Sequence, residues 1–152
     1  QIRTRRIPDH HEVIGYQADL GQNYTGCLYD ESRRRKILAE PDREELAKIL
    51  KPDEWNDYVI RCEGKRIQLW INGYQTVDYT EADRSIELDG IIALQIHGGP
   101  AGEAWYRNIK IKKLDRAPVQ TFVVHFPLHQ YKAFFFPNPN RVNRIKIFTL
   151  VS

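Results

Sequence analysis

Residues 55–79, WNDYVIRCEGKRIQLWINGYQTVDY, decide the fold of this chain. Apolar side chains take every second position in two runs, at Tyr58, Ile60, Cys62, Ile67, Leu69 and Ile71. A period of two is typical of a β-strand with one buried face. Gly64 marks a tight turn, and Asn72-Gly73 is the pair that a type I′ hairpin turn requires. The stretch therefore predicts three antiparallel strands in a meander.

The flanking segments continue this pattern. Residues 12–20, 91–97 and 104–114 alternate and predict further strands, and residues 27–29 predict a short one. Asp42 with Glu45 resembles a helix cap and Pro52 stops the pattern, so one short helix is expected over about 42–50. The basic run at 33–36 is expected to be solvated. Short strands at near-regular spacing with one helix predict an all-β, antiparallel β-sandwich.

Composition limits the class of protein. The 152 residues suffice for one domain with a core, and no apolar run approaches the ~20 residues of a membrane span. The net charge of +3 is misleading, because residues 1–115 hold 18 basic and 20 acidic residues. The excess of positive charge belongs to residues 116–152, so nucleic-acid binding is not predicted for the domain.

Residues 116–152 differ from the rest of the chain. They lack acidic residues and contain the run Phe134-Phe135-Phe136. We therefore divide the chain into a sandwich at 1–115 and a basic, aromatic-rich tail. Two interpretations of the tail stay open: a foreign extension, or a segment that replaces strands absent from the N-terminal end.

Cys27 and Cys62 are the two cysteines, and neither lies in a metal-binding CxxC pair. Two separate buried thiols are the favoured interpretation, because cysteine packs as a small hydrophobe. A disulfide between them stays open, since its geometry cannot be tested from the sequence.

Polar residues alternate along three predicted strands: Arg3 and Arg5, Gln17 and Asp19, Gln95 and His97. Residues two apart on a strand point to one face, and Leu94 and Ile96 are expected to pack a core on the other. If these strands share a sheet, one surface collects amides, a carboxylate, an imidazole and guanidinium groups. Such a surface suits a polyhydroxylated or oxyanionic ligand. The alternative is a merely solvated face, and His97 alone is more often structural than catalytic.

Two further groups have two interpretations each. Asp9-His10-His11-Glu12 offers oxygen and imidazole ligands to a divalent ion, or is a polar loop before a strand. Trp55 and Trp70 are sugar-stacking platforms or, more commonly, core aromatics.

Four segments together resemble a known family. They are GYQADLG at 15–21, GCLYDESRR at 26–34, the stretch at 55–79, and GIIALQIHGG with WYRNIKIKKL at 90–114. As an ordered set they closely resemble the 3-keto-disaccharide hydrolase domain family, long called a domain of unknown function. The resemblance covers residues 1 to about 114. Singly, each segment is a weak signal.

The resemblance implies a concanavalin A-like or laminin-G-like sandwich of jelly-roll type, and a periplasmic or extracellular location in bacteria. Family domains normally begin with further strands that end in a segment like N-S-G-I-x-x-R. This chain opens at Gln1-Ile2-Arg3, inside that segment. The resemblance therefore implies N-terminal strands that this sequence does not include, and it has no counterpart for the tail.

The resemblance also implies an activity on sugars oxidised at carbon 3. For this activity we place the chemistry on the shared polar face, with His97 as general base or metal ligand and Asp19 as the alternative base or ligand. Gln17 and Gln95 would bind sugar hydroxyls, and Arg3 and Arg107 would position the substrate or stabilise an oxyanion. A divalent metal is an expected cofactor, with His97, Asp19 and Glu12 as candidate ligands. Arg107 has a second interpretation as a structural ion-pair partner, and a non-catalytic carbohydrate-binding or interaction module is the rival function.

Overall fold

The computed structural model describes residues 1–96, 104–114 and 122–129, and gives no description of the Gln22 side chain or of most side chains in the last range. It contains one α-helix, α1 (Arg43–Ile49), and a 3-10 helix at Gln22–Tyr24. The strands are β1 (Ile2–Arg6), β2 (Val13–Ala18), β3 (Leu28–Glu31), β4 (Lys36–Ala39), β5 (Trp55–Glu63), β6 (Arg66–Ile71), β7 (Tyr74–Thr80), β8 (Trp105–Tyr106), β9 (Lys110–Lys113) and β10 (Phe122–His129).

These strands form two antiparallel sheets. The first sheet has the order β1-β2-β3-β4, and the second has the order β7-β6-β5-β10-β8, with β9 also paired to β10. Buried residues of both sheets share one apolar core: Ile2, Tyr16, Leu28, Tyr58, Ile60, Leu69 and Ile71. The prediction of an all-β, antiparallel sandwich with one short helix is confirmed.

The meander follows the predicted register. Cys62 pairs with Ile67, and Tyr58 pairs with Ile71, so the alternating apolar residues of β5 and β6 lie on one face. Asn72 and Gly73 have φ values of 49° and 84°, as a two-residue hairpin with positive φ at both positions requires. Side-chain periodicity and turn chemistry thus act together to set this sheet.

The predicted helix is also confirmed. The Asp42 carboxylate accepts hydrogen bonds from the backbone N–H groups of Glu44 and Glu45, which otherwise have no partner at a helix start. Leu46 is the buried residue of α1 and belongs to the common core.

The last two predicted strands, at 91–97 and 104–114, are shorter than expected. Within 91–96 the structure has a single β-bridge, between Ile91 and Thr4. The predicted strand over 104–114 is divided into β8 and β9 around Asn108, whose φ is 51°. Leu94 and Ile96 are 38% and 40% exposed. The expectation that they pack a core is wrong, because this segment lies beside the edge strand β1 rather than inside a sheet.

The basic run at 33–36 is not simply solvated. Arg34 donates to Glu81 at 2.7 Å and also contacts Asp30, and both carboxylates are almost completely buried. Arg33 binds the same Asp30 and lies over the Tyr16 ring. The expectation fails for these two arginines because buried carboxylates attract them into the space between the sheets.

Strand β10 lies beyond residue 115. It pairs with β5 over eight positions, from Phe122↔Cys62 to His129↔Trp55, and Val124 is buried in the common core. This part of the predicted tail is a strand of the second sheet. The division of the chain at residue 115 and the origin of the tail stay predictions.

Cys27 and Cys62 are both buried and are not joined by a disulfide. The favoured interpretation, two separate thiols, is confirmed. Burial raises the pKa of the Cys62 thiol to about 12, so it stays protonated at neutral pH.

Two glycines enclose an irregular point of β1. The register between β1 and β2 shifts between Ile2 and Arg5, and Arg3 has a φ of 50°. A Cβ atom at Gly90 would lie 2.6 Å from the Thr4 carbonyl oxygen, and one at Gly15 would lie 2.8 Å from the Arg3 carbonyl oxygen. Both glycines have a φ of +143°, which favours glycine.

We expect Gly90→Ala to lower the free energy of unfolding by about 1–3 kcal/mol more than Gly21→Ala does. Gly21 is a matched control because its φ is +126° and nothing lies within 4 Å of an added Cβ. Alanine at Gly21 therefore adds backbone strain without a steric clash. Urea unfolding of the two variants gives the comparison. Equal losses would mean that β1 moves aside without cost.

Candidate functional site

Four polar side chains meet on the outer face of the first sheet. The Gln1 side-chain amide donates to Gln17 Oε1 at 2.5 Å and to Gln95 Oε1 at 3.3 Å. The Gln17 amide in turn donates to Asp19 Oδ2 at 2.8 Å. We call Gln95, Gln1, Gln17 and Asp19 the amide row. The structure therefore brings together three of the residues that the sequence singled out, Gln17, Asp19 and Gln95.

The pairing of β1 with β2 determines the position of the amide row. Ile2 pairs with Tyr16, and both side chains point into the core, so Gln1 and Gln17 lie side by side on the opposite face. The Ala93 N–H donates to the Gln1 carbonyl oxygen at 3.0 Å, which brings Gln95 beside the same strand. The sequence analysis missed Gln1, because its membership depends on the register between two strands.

Asp19 has the one ionisable side chain of the row, whose four members all belong to the described residues. Its Oδ1 accepts from the backbone N–H of Leu20 at 2.7 Å, and its Oδ2 accepts from Gln17. Burial raises the pKa of the Asp19 carboxyl above its usual range, and these two hydrogen bonds offset only part of that effect. A carboxylate with a raised pKa is a better proton acceptor than an ordinary aspartate.

An aromatic pair lies on the same face. Tyr29 pairs with Gln17 across β2 and β3, so their side chains are neighbours. Tyr24 packs edge-on against Tyr29 with ring centroids 6.2 Å apart, and it is 46% exposed. Exposed aromatic rings next to amides are suited to stack on and hydrogen-bond a sugar. The sequence signal for Tyr29 was the short strand at 27–29, but nothing in the sequence linked it to Gln17.

The two predicted arginines lie elsewhere. Arg3 is 2% exposed, and its Nη1 donates to the Gly64 carbonyl oxygen at the β5–β6 turn. The Arg107 guanidinium lies 3.9 Å from the Trp55 ring centroid. Trp55 is half-buried under this contact. The hydroxyl of Tyr106, which precedes Arg107 in the sequence, donates to the Gln95 carbonyl oxygen at 3.1 Å. Arg107 thus follows, in sequence, a residue that contacts Gln95, whereas Arg3 binds the β5–β6 turn of the other sheet.

The prediction for His97 lies outside the described residues. Glu12, another candidate metal ligand, precedes β2, whereas Asp19 follows it. Seven residues of extended chain span about 23 Å, so one ion cannot bind both. Among the described residues the row offers a metal one carboxylate and neutral amides, which is a weak ligand set.

No curated protein and no solved structure matches this chain. In the described residues, no helix has the length and apolar character to cross a membrane.

The model of one protein family matches residues 1–112, which include both sheets up to β9 and the whole amide row. The family is described as the 3-keto-alpha-glucoside-1,2-lyase-like domain, a description that ties it to carbohydrate chemistry. The resemblance found in the sequence is thereby confirmed. This chain belongs to the family of 3-keto-alpha-glucoside-1,2-lyase-like domains, also called the 3-keto-disaccharide hydrolase domain family.

Proposed function

We propose that this domain cleaves glycosides that carry a ketone at carbon 3, by removing the proton on carbon 2 and expelling the group on carbon 1. The observation that carries the proposal is the half-buried Asp19 carboxylate at the end of the amide row, in a domain of this family. The amides bind hydroxyl groups, and the carboxylate accepts a proton.

The ketone makes this chemistry accessible because it acidifies the neighbouring C–H group. The base takes the proton from carbon 2, and the electron pair of that bond is delocalised onto the ketone oxygen as an enolate. The pair then forms the C1–C2 double bond while the C1–O bond breaks, and the leaving oxygen takes up a proton. Addition of water across the new double bond completes a net hydrolysis.

Each residue of the row has a proposed role. Asp19 is the general base, and Gln17 and Gln95 bind sugar hydroxyls, with Gln1 holding the two amides in place. Arg107 is exposed and its guanidinium stacks on Trp55, and we assign it to positioning of the substrate. Arg3 is assigned to the β5–β6 turn instead, because its guanidinium binds Gly64.

His97 remains a proposed base or metal ligand on chemical grounds. Imidazole titrates near neutrality, and His97 follows Gln95 by two positions in the sequence. The described part of the row supplies a metal ion with a single anionic ligand, the Asp19 carboxylate. The requirement of the activity for a divalent cofactor is tested with a chelator.

The second candidate is a carbohydrate-binding module without catalysis. The pairing of exposed Tyr24 with Tyr29 beside three glutamines favours it, because sugar binding needs aromatic rings and amides rather than a base. The enzyme and the binding module would bind the same sugar, but only the enzyme would need Asp19 as a base.

The test compares a 3-keto-α-glucoside with the same glucoside unoxidised, each with and without a chelator. We expect release of the leaving group from the ketone substrate alone, since the unoxidised sugar lacks an acidic C2–H group. Binding of both sugars without cleavage would support the module instead. Loss of turnover on chelation, restored by a divalent ion, would add a metal to the mechanism, and absence of both binding and cleavage would contradict both candidates.

We also propose a periplasmic or extracellular location, which is what the family resemblance implies. Cell fractionation of the native host with an antibody against the domain tests it.

A further inference from the structure

A second cluster of ligand-type side chains lies in the loop between β1 and β2. Ligand atoms of His10, His11 and Glu12 all lie within 4.8 Å of one another. The two imidazole rings stack with centroids 4.5 Å apart, and His11 Nε2 lies 3.9 Å from Glu12 Oε1. The backbone N–H of Glu12 donates to His10 Nδ1 at 3.2 Å in an exposed hydrogen bond, which an ion bound at that nitrogen would displace. A lone pair on nitrogen is what a metal ion requires of histidine.

An independent contact fixes the carboxylate. Ser32, in the turn after β3, donates to Glu12 Oε2 at 2.6 Å. This hydrogen bond leaves Oε1 directed to His11. A hydrogen bond from outside the ligand set that orients a ligating carboxylate is a regular feature of metal sites.

We propose that His10, His11 and Glu12 form a binding site for a borderline transition-metal ion, with Zn²⁺ as the best match, and that Ser32 positions Glu12 in it. Two imidazoles and one carboxylate select Zn²⁺ over Mg²⁺ or Ca²⁺, which prefer oxygen ligands. The distance between neighbouring ligand atoms in a tetrahedral zinc site is about 3.4 Å, from a metal–ligand bond of about 2.1 Å. The loop therefore needs to contract from ligand separations of 3.9 Å between His11 and Glu12 and of at most 4.8 Å within the cluster.

The site is separate from the amide row. It precedes β2, and Asp19 follows β2, so the strand spaces them about 23 Å apart. His10 and His11 are exposed, and Arg35 is among the charged neighbours of Glu12, so we expect micromolar rather than nanomolar affinity. An ion bound there would join the β1–β2 loop to the turn after β3 through Ser32.

Zinc binding is tested by isothermal titration of the complete chain without a histidine tag, whose imidazoles would bind the ion. We expect one Zn²⁺ per chain in wild type. His10→Ala, His11→Ala and Glu12→Gln should each weaken binding at least ~10-fold, and Ser32→Ala about 10–100-fold. Glu40→Gln is the control, because Glu40 is an exposed carboxylate outside the cluster, and its variant should bind as wild type does.

A thermal readout makes the result independent of any substrate. Saturating Zn²⁺ should raise the Tm of wild type, because a ligand that binds only the folded state stabilises it. The His10→Ala and His11→Ala variants should have wild-type Tm without zinc, since these two side chains are exposed, and a smaller shift with it. Wild-type affinity in all three ligand variants, or no zinc binding by wild type, would overturn the site, whatever the outcome of the glycoside assay.

Discussion

Replacing Asp19 with asparagine is expected to lower kcat/KM for a 3-keto-glucoside by about 10²–10⁴-fold, the usual contribution of a positioned general base. Asparagine keeps the size of the side chain but accepts no proton at neutral pH. Sugar binding should persist, because the three glutamines that contact one another in the amide row are unchanged. Steady-state kinetics together with a binding titration separates the two effects.

The pH profile provides a second readout. A general base acts when deprotonated, so activity should rise with pH through the pKa of Asp19 and fall below it. Because burial raises that pKa, the acid limb of kcat/KM should lie at higher pH than an ordinary aspartate gives. The Asp19→Asn variant should lack that limb in its residual activity.

Asp89→Asn is the matched control for Asp19→Asn. Asp89 is exposed and pairs with Arg5, which keeps Glu87 as a partner in the variant. We expect wild-type kinetics from it. If Asp19→Asn also turned over substrate at the wild-type rate, Asp19 would not be the base, and His97→Ala would be the next variant to assay.

Replacing Glu81 with glutamine is expected to destabilise the fold by about 3 kcal/mol. Glu81 follows β7, is 2% exposed, and joins the two sheets through Arg34 and Tyr16. Burial alone would raise its pKa, but hydrogen bonds from Arg34, Tyr16, Tyr79 and the Asp83 N–H outweigh burial and lower it from 4.5 to about 2. A shift of that size corresponds to about 3 kcal/mol at about 1.4 kcal/mol per pKa unit.

The dependence on pH follows from the direction of the shift. A carboxyl whose pKa is lowered by folding contributes stability that is fully present above about pH 4.5 and is lost as the pH falls through about 2. Wild type should therefore lose its advantage over Glu81→Gln across this window. Urea unfolding at several pH values between 7 and 2 measures the difference.

Glu87→Gln serves as the control for Glu81→Gln. Glu87 also pairs with an arginine, Arg5, but 64% of its side chain is exposed. Exposed ion pairs contribute roughly 0–1 kcal/mol, so little change is expected. Similar losses in both variants would show that the buried network adds nothing beyond an ordinary surface pair.

The strands of the second sheet were predictable because the residues that specify them are close together in the sequence. Alternation over Tyr58–Cys62 and Ile67–Ile71, with Asn72-Gly73 between β6 and β7, specifies strands and turn together. The helix was predictable for the same reason, since Asp42 caps the two residues that follow it. The pairing of Gln17 with Asp19 was predictable from a spacing of two on one strand.

Local patterns in the sequence thus sufficed to predict the fold class, the family, and the polar character of the face at Gln17 and Asp19. The three-dimensional fold was needed to show that Gln1 and Gln95 lie on this face, that Arg3 binds Gly64, and that Arg34 binds the buried Glu81. Each of these contacts joins residues between 16 and 94 positions apart. Strand register and the attraction of buried carboxylates establish such contacts, and neither is encoded in a short segment of sequence.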